Sequence, residues 1–131
     1  MTTDDYIYPQ HTPLPMFDFE RLELYQVIRN HNKEVMSFIF AHPELDPVIT
    51  DQWKRSTISS LLNLTEGVGR VNDVEKKQYF VMARGAIYEG TALLQLVRDL
   101  GLVDDYTYVS LYATYEQVSK MLLGMYRSKA A

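Results

Sequence analysis

The chain has 131 residues, of which 47% are hydrophobic and 23% are charged, proportions typical of a single globular domain. It contains no cysteine, which excludes disulfides, thiolate metal sites and cysteine nucleophiles and fits a cytoplasmic location. Its acidic start leads into no apolar run, so we expect neither a secretory signal nor a membrane-spanning segment.

The net charge of −4 is unevenly distributed along the chain. Residues 1–53 carry three basic and nine acidic residues, whereas residues 54–98 carry seven basic and four acidic ones. A local excess of three positive charges is small for a nucleic-acid-binding surface. If nucleic acid is bound at all, the contacts are expected from Lys54, Arg55, Arg70, Lys76, Lys77 and Arg84.

Residues 1–16 predict an extended N-terminal tail, followed by a bundle domain over residues 17–131. Pro9, Pro13 and Pro15 interrupt any helical period in this stretch. Its aromatic residues, Tyr6 and Tyr8 among them, are costly to leave in water. The tail is therefore expected either to dock along its own bundle or a neighbour's, or to fray as an ordinary terminus.

The first two helices are predicted from their caps and apolar spacing. Helix 1 is expected from Asp18 to Ala41, before Pro43, and helix 2 from Pro47, with Asp46 as N-cap, to Glu66. The predicted buried residues of helix 1 are Leu22, Tyr25, Ile28, Val35, Met36 and Ile39, and those of helix 2 are Ile49, Trp53, Ile58, Leu61 and Leu62. His31 is interpreted as solvated or at the core edge.

The last two helices follow short connections. Helix 3 is expected from Asn72 or Asp73 to Leu100, with Gly101 ending it, and helix 4 from Asp104 or Asp105 to Arg127. Their predicted buried stripes are Phe80, Ala83, Ile87, Leu94 and Val97, and Tyr108, Leu111, Tyr115, Val118, Leu122 and Met125. The four helices predict an all-α, antiparallel up-down-up-down four-helix bundle.

Small polar residues crowd helix 2 where a core helix is normally apolar. Ser56, Ser59, Ser60 and Asn63 share a face, which Glu66 continues one turn on. We expect Asn63 and Glu66 to meet Arg84 or Glu89 of helix 3 in a buried hydrogen-bonded network. Gly67 and Gly69 are expected to end helix 2, beside Arg70. Gly85 and Gly90 each cost helix 3 about 1 kcal/mol relative to alanine, which predicts close contact with this face of helix 2.

Residues 63–70 read NLTEGVGR, which resembles the N-[IL]-[AT]-E-G-x-G-R signature of the bacterial four-helix bundle proteins known from 23S ribosomal RNA intervening sequences. Residues 19–26 resemble the first sequence motif of that family. Residues 85–89 and 93–102 resemble its third helix and the leucine-glycine-leucine segment that follows it. The resemblance spans residues 17–127 and implies the bundle fold. Two departures stand out: Thr91 replaces a second acid and Leu61 replaces a proline.

A related branch of similar fold comprises the accessory variability proteins of diversity-generating retroelements. That resemblance implies a ring of five copies and contacts with a reverse transcriptase and nucleic acid. Independently of it, helix 4 carries more aromatic surface than one bundle interior can absorb, so Tyr106, Tyr112 and Tyr126 predict an interface between copies.

The sequence contains none of the arrangements that carry enzyme chemistry in bundles, such as Glu-x-x-His on two helices. We therefore expect no catalytic residue, metal or cofactor. The favoured interpretation is a non-enzymatic, self-associating adaptor or scaffold whose partners are further copies of itself and an unidentified protein. The alternative is a nucleic-acid-binding accessory protein that contacts a reverse transcriptase.

Overall fold

The computed structural model describes residues 16–129, which fold into four α-helices. The helices are α1 (Glu23–Ala41), α2 (Pro47–Gly69), α3 (Asp73–Asp99) and α4 (Asp105–Ser128), and a short 3₁₀ helix, Asp18–Arg21, precedes α1. The predicted all-α four-helix bundle is thereby confirmed. Apart from Met16, the predicted tail lies outside the described residues.

Neighbouring helices run in opposite directions. On α1 and α2, Asn32 bonds Thr57 while the later Phe38 packs against the earlier Trp53. On α3 and α4 the contacting pairs are Lys77 with Tyr126, Arg84 with Ser119, and Arg98 with Tyr108. The loop of residues 70–72 joins α2 to α3, and Arg70 turns back to Tyr79. These contacts place the start of α1, the end of α2, the start of α3 and the end of α4 at one end of the bundle.

Three of the predicted helix starts are capped as expected. The side chains of Asp46, Asn72 and Asp104 each accept a backbone N–H of the first turn that follows. Helix α1 differs, because it begins at Glu23 after an uncapped Leu22. Asp18 belongs instead to the separate 3₁₀ helix. The start of that helix is capped by a hydrogen bond from the backbone N–H of Phe17 to Glu20 Oε1, at 3.1 Å.

Helix α2 continues to Gly69, three residues beyond the predicted end. Gly67 is buried in helical conformation, and a Cβ added there would lie 2.8 Å from Cε1 of Phe80. It is therefore needed for space between α2 and α3. Among the described residues only Gly101 has a positive φ, +74°, and it ends α3 as predicted.

The core lies along the predicted stripes of α3 and α4, whose residues are buried except for the half-buried Met125. Helix α2 is different. Ile58 and Leu62, predicted to be buried, are 50% and 55% exposed, whereas Ser56, Thr57 and Ser60 face inward.

None of the helices within residues 16–129 is both long enough and apolar enough to cross a bilayer.

Candidate functional site

The buried network predicted around Asn63 and Glu66 does not form. Glu66 is exposed, and its carboxylate lies 3.7 Å from the guanidinium of Arg70. Asn63 donates to the carbonyl and hydroxyl oxygens of Ser59, both at 2.9 Å, and so bonds its own helix. Glu89 of α3 is also exposed.

The error is one of helical register. The inward stripe of α2 consists of Trp53, Ser56, Thr57, Ser60, Leu64 and Gly67. Asn63 and Glu66 each lie one residue before a member of that stripe, which turns them about 100° away from the core. Ser60 and Gly67 are therefore the members of the predicted network that reach the interior, while Gly69 and Arg70 are exposed.

Arg84 links α3 to α4 rather than to α2. Its Nε donates to the backbone carbonyl of Ser119 at 3.2 Å, and its guanidinium carbon lies 4.8 Å from the centre of the Tyr88 ring. The predicted meeting of Arg84 with the polar face of α2 is therefore wrong.

A different set of polar side chains occupies the centre of the bundle. This core polar cluster consists of His31, Asn32, Trp53, Thr57, Ser60 and Tyr115, all of them buried. Asn32 Nδ2 donates to the carbonyl of Thr57 at 2.7 Å and to the hydroxyl of Ser60 at 3.3 Å. Trp53 Nε1 donates to Tyr115 Oη at 2.9 Å. The cluster thus ties α1, α2 and α4 together.

Tyr115 is the centre of this cluster, and α3 makes room for it. A Cβ added at Gly90 would lie 2.6 Å from Tyr115 Oη, so the glycine allows the phenol to reach Trp53. Burial raises the pKa of the Tyr115 hydroxyl, which therefore stays protonated. The predicted close approach at Gly90 exists, but its partner lies on α4. At Gly85 an added Cβ would meet nothing within 4 Å, so close packing does not explain that glycine.

His31 is fully enclosed, contrary to the solvated or core-edge prediction. It is 1% exposed, and its ring meets that of Tyr115 edge-on with centroids 4.1 Å apart. Neither ring nitrogen has a hydrogen-bond partner within residues 16–129. Burial lowers the pKa of His31 from 6.5 to about 4, so the ring is neutral at pH 7. Its spacing from Ile28 and Val35, three and four residues away, was the signal that it belongs to the buried stripe.

Most of the bases predicted to contact nucleic acid are held by their own chain. Lys76 Nζ donates to the carbonyl of Val68 at 2.7 Å, near the end of α2. Lys54 lies over the Phe40 ring and Lys77 over the Tyr126 ring. Arg70 donates to Tyr79 Oη at 2.6 Å, Arg84 is bound as described above, and Arg55 is exposed.

The three tyrosines predicted as an interface fall into two places. Tyr106 and Tyr112 lie in the first half of α4, where they are 86% and 37% exposed, with Val109 between them at 61%. We call these three residues the α4 aromatic face. Tyr126 lies near the other end of the helix and is half-buried beneath Lys77.

A groove follows the outer side of α3 and α4 near Tyr126. Two adjoining cavities of about 580 and 370 Å³ share Val81 and Tyr126 in their walls. The α3–α4 groove is defined here by Val74, Lys77, Val81, Met82, Arg84, Tyr88 and Tyr126. Within residues 16–129 no group of three or more histidine, aspartate or glutamate side chains is arranged to hold a metal ion.

Fold and polar core together define a small all-α bundle protein with exposed aromatic surfaces. Residues 20–124 match the family model of the 23S rRNA-intervening sequence protein, and the chain belongs to that family. A crystal structure from Bacteroides thetaiotaomicron, described as a protein with unknown function from the S23 ribosomal protein family, is similar with a TM-score of 0.73 at 15% identity. The alignment covers 79% of this chain and 97% of that one, and it shows a shared fold. The comparison with curated proteins gives no match.

Proposed function

We propose that this protein is a non-enzymatic helical bundle that associates with further copies of itself and acts as an adaptor or scaffold. The proposal rests on the α4 aromatic face, where three large side chains along one helix are exposed to solvent. Contiguous exposed aromatic surface of this kind marks interaction sites more often than ordinary surface.

The geometry of the face suits an interface. The Tyr112 ring stacks on that of the buried Tyr108 with centroids 5.7 Å apart, so it is already ordered before a partner arrives. Tyrosine is enriched among the few residues that contribute most of the binding energy of an interface, and a ring that is already ordered loses little rotamer entropy on binding. A stable interface buries roughly 800 Å² per partner, so neighbouring residues must join these three. On the retroelement resemblance alone, we propose a ring of five copies.

The nucleic-acid alternative is less well supported. Lys76 is bound to a helix carbonyl, and Lys54, Lys77 and Arg84 lie over aromatic rings. The chain as a whole is acidic, with a net charge of −4, and the local excess of bases is small for a shared phosphate track.

The proposal is tested by measuring the mass of the eluting species by light scattering for the wild type and two variants. Tyr106→Ser combined with Val109→Ser removes exposed apolar groups from α4, whereas Val48→Ser, 73% exposed on α2, is the matched control. We expect the α4 variant to fall to the mass of one chain while the wild type and the control keep a multiple of it. Equal masses for all three proteins would contradict the proposed interface.

A further inference from the structure

We propose that the N-terminal segment of this chain, residues 4–15, docks in the α3–α4 groove of its own bundle. Tyr126 in the wall of the groove lies near the opposite end of α4 from the α4 aromatic face, whereas Tyr88 of the groove also lines a cavity with Tyr112.

The groove combines an apolar floor with positive charge. Val74, Val81 and Tyr88 are each more than half exposed, which leaves a continuous apolar strip unpartnered on the described bundle. Lys77 and Arg84 border it, and no acidic residue in the described range lines either cavity. An occupant should therefore be apolar and carry carboxylates.

The two cations are held in place beside the strip. Lys77 Nζ lies 4.6 Å from the centre of the Tyr126 ring, and the Arg84 guanidinium lies over Tyr88. The bond from Arg84 to Ser119 uses Nε, which leaves the terminal guanidinium nitrogens available to a carboxylate. The rings of Tyr126 and Tyr88 beneath these cations also line the groove.

The N-terminal segment has the complementary chemistry. Its only carboxylates are Asp4 and Asp5, and it contains no lysine or arginine. Tyr6, Ile7 and Tyr8 follow directly, which places apolar side chains next to the acids as the groove requires. Three prolines favour an extended backbone, the form that aromatic-lined grooves bind at low entropic cost.

The connection is short enough for contact within one molecule. The 3₁₀ helix Asp18–Arg21 packs on α1 and α2, at the end of the bundle where α3 begins at Asp73. Twelve extended residues reach about 40 Å, and crossing two helix widths takes roughly 20 to 24 Å. The segment is therefore long enough to pass over the end of the bundle and then lie along the groove. Tethering gives an effective concentration of about a millimolar, so even weak contacts suffice.

The test uses the absence of cysteine from the chain. Thr3→Cys in the full-length protein places a single nitroxide label beside the acidic pair, and its paramagnetic effect on methyl signals is measured in dilute solution. We expect the signals of Val74, Val81 and Met82 to lose most of their intensity, while Val48 and Ile58 of α2 keep theirs. Undiminished groove signals would overturn the proposal.

Charge reversal tests the stated recognition. Lys77→Glu with Arg84→Glu should restore the groove signals, and adding Asp4→Lys with Asp5→Lys should weaken them again. Lys33→Glu, an exposed charge reversal on α1, is the matched control and should change nothing. Circular dichroism checks that each variant keeps its helices. Attenuation that survives the groove reversal would overturn the proposal.

Mixing isotope-labelled chains without nitroxide and nitroxide-labelled chains without isotope, both with Tyr106→Ser and Val109→Ser to suppress the proposed self-association, separates the two sources of the segment. Contact within one molecule predicts no attenuation in the mixture. Attenuation there would overturn the proposal and assign the groove to the segment of a second copy.

Discussion

At Tyr115 a single hydrogen bond depends on a missing methyl group. The phenol reaches Trp53 only because Gly90 leaves room, and an added Cβ would lie 2.6 Å from its oxygen. Gly90→Ala should therefore lower the free energy of unfolding by about 1 to 3 kcal/mol, although alanine favours the helix.

Gly85 provides the matched control on the same helix. An added Cβ there meets nothing within 4 Å, so Gly85→Ala should stabilise the protein by about 0.5 to 1 kcal/mol through helix propensity. Urea denaturation measures both changes. Two variants that shift stability in the same direction would contradict the contact described at Gly90.

His31 should make the protein sensitive to acid. Its pKa is about 4 in the folded state and 6.5 unfolded, so between these values the unfolded chain binds a proton that the folded chain does not. The contribution of His31 to the free energy of unfolding is therefore fully present above pH 6.5. It is lost as the pH falls towards 4, which lowers the free energy of unfolding by about 3 kcal/mol in total. Unfolding titrations at a series of pH values measure this slope.

Replacing His31 by leucine should remove this slope. Leucine has no polar atoms to leave unpaired, so the variant should be at least as stable as the wild type at pH 5. His42→Gln, at a half-buried histidine bonded to the carbonyl of Phe38, is the control and should retain the slope. A steep acid loss that persists in His31→Leu would show that other groups cause it.

The register of α2 determines which polar residues stabilise the fold. Asn32→Ala removes a buried donor to the carbonyl of Thr57 and should cost about 1 to 3 kcal/mol. Glu66→Ala removes an exposed carboxylate from Arg70 and should change stability by no more than about 0.5 kcal/mol. Thermal unfolding of the two variants compares them, and a large loss for Glu66→Ala would restore the buried network predicted from the sequence.

The periodicity of apolar residues was sufficient to predict α3 and α4, because their large side chains mark the buried stripe directly. On α2 it failed, because Ile58 and Leu62 are exposed and the stripe includes Ser56, Thr57 and Ser60, whose hydroxyl side chains carry no hydrophobic signal. The inward positions of Ser56 and Ser60 were predicted instead from the crowding of small polar residues. Asn63 and Glu66 were predicted on the inward face, but each lies one helical step before an inward residue, Leu64 or Gly67.

Long-range contacts explain the remaining errors. Local rules predict that Gly67 ends the helix, but α2 continues to Gly69 and Gly67 instead provides space for the Phe80 ring. The bond between Trp53 and Tyr115 joins residues 62 positions apart, and no local pattern predicts it. The exposure of Tyr106 and Tyr112 was predictable because both lie outside the buried stripe of α4. The α3–α4 groove was not predictable from the sequence, because it forms only when the two helices pack together.

For the whole molecule, the distribution of charge predicts weak binding to nucleic acid. The net charge is −4, and the central bases contact their own chain. We expect no affinity for duplex DNA or structured RNA tighter than about 10 micromolar at physiological salt. Gel-shift titrations measure this. Submicromolar binding that disappears when Lys76 and Lys77 are replaced by glutamate would favour the nucleic-acid alternative.

A closed ring requires two different patches on every copy, one to meet each neighbour. The α4 aromatic face supplies one such patch in the proposed assembly. Because association is concentration-dependent, the molecular mass should rise with protein concentration until the ring is complete.

The most direct measurement of self-association is therefore the sedimentation equilibrium of the wild-type protein over a dilution series. We expect a mass that is a multiple of one chain at micromolar concentration and that decreases towards one chain on dilution. A mass of one chain throughout the series would show that the protein does not self-associate.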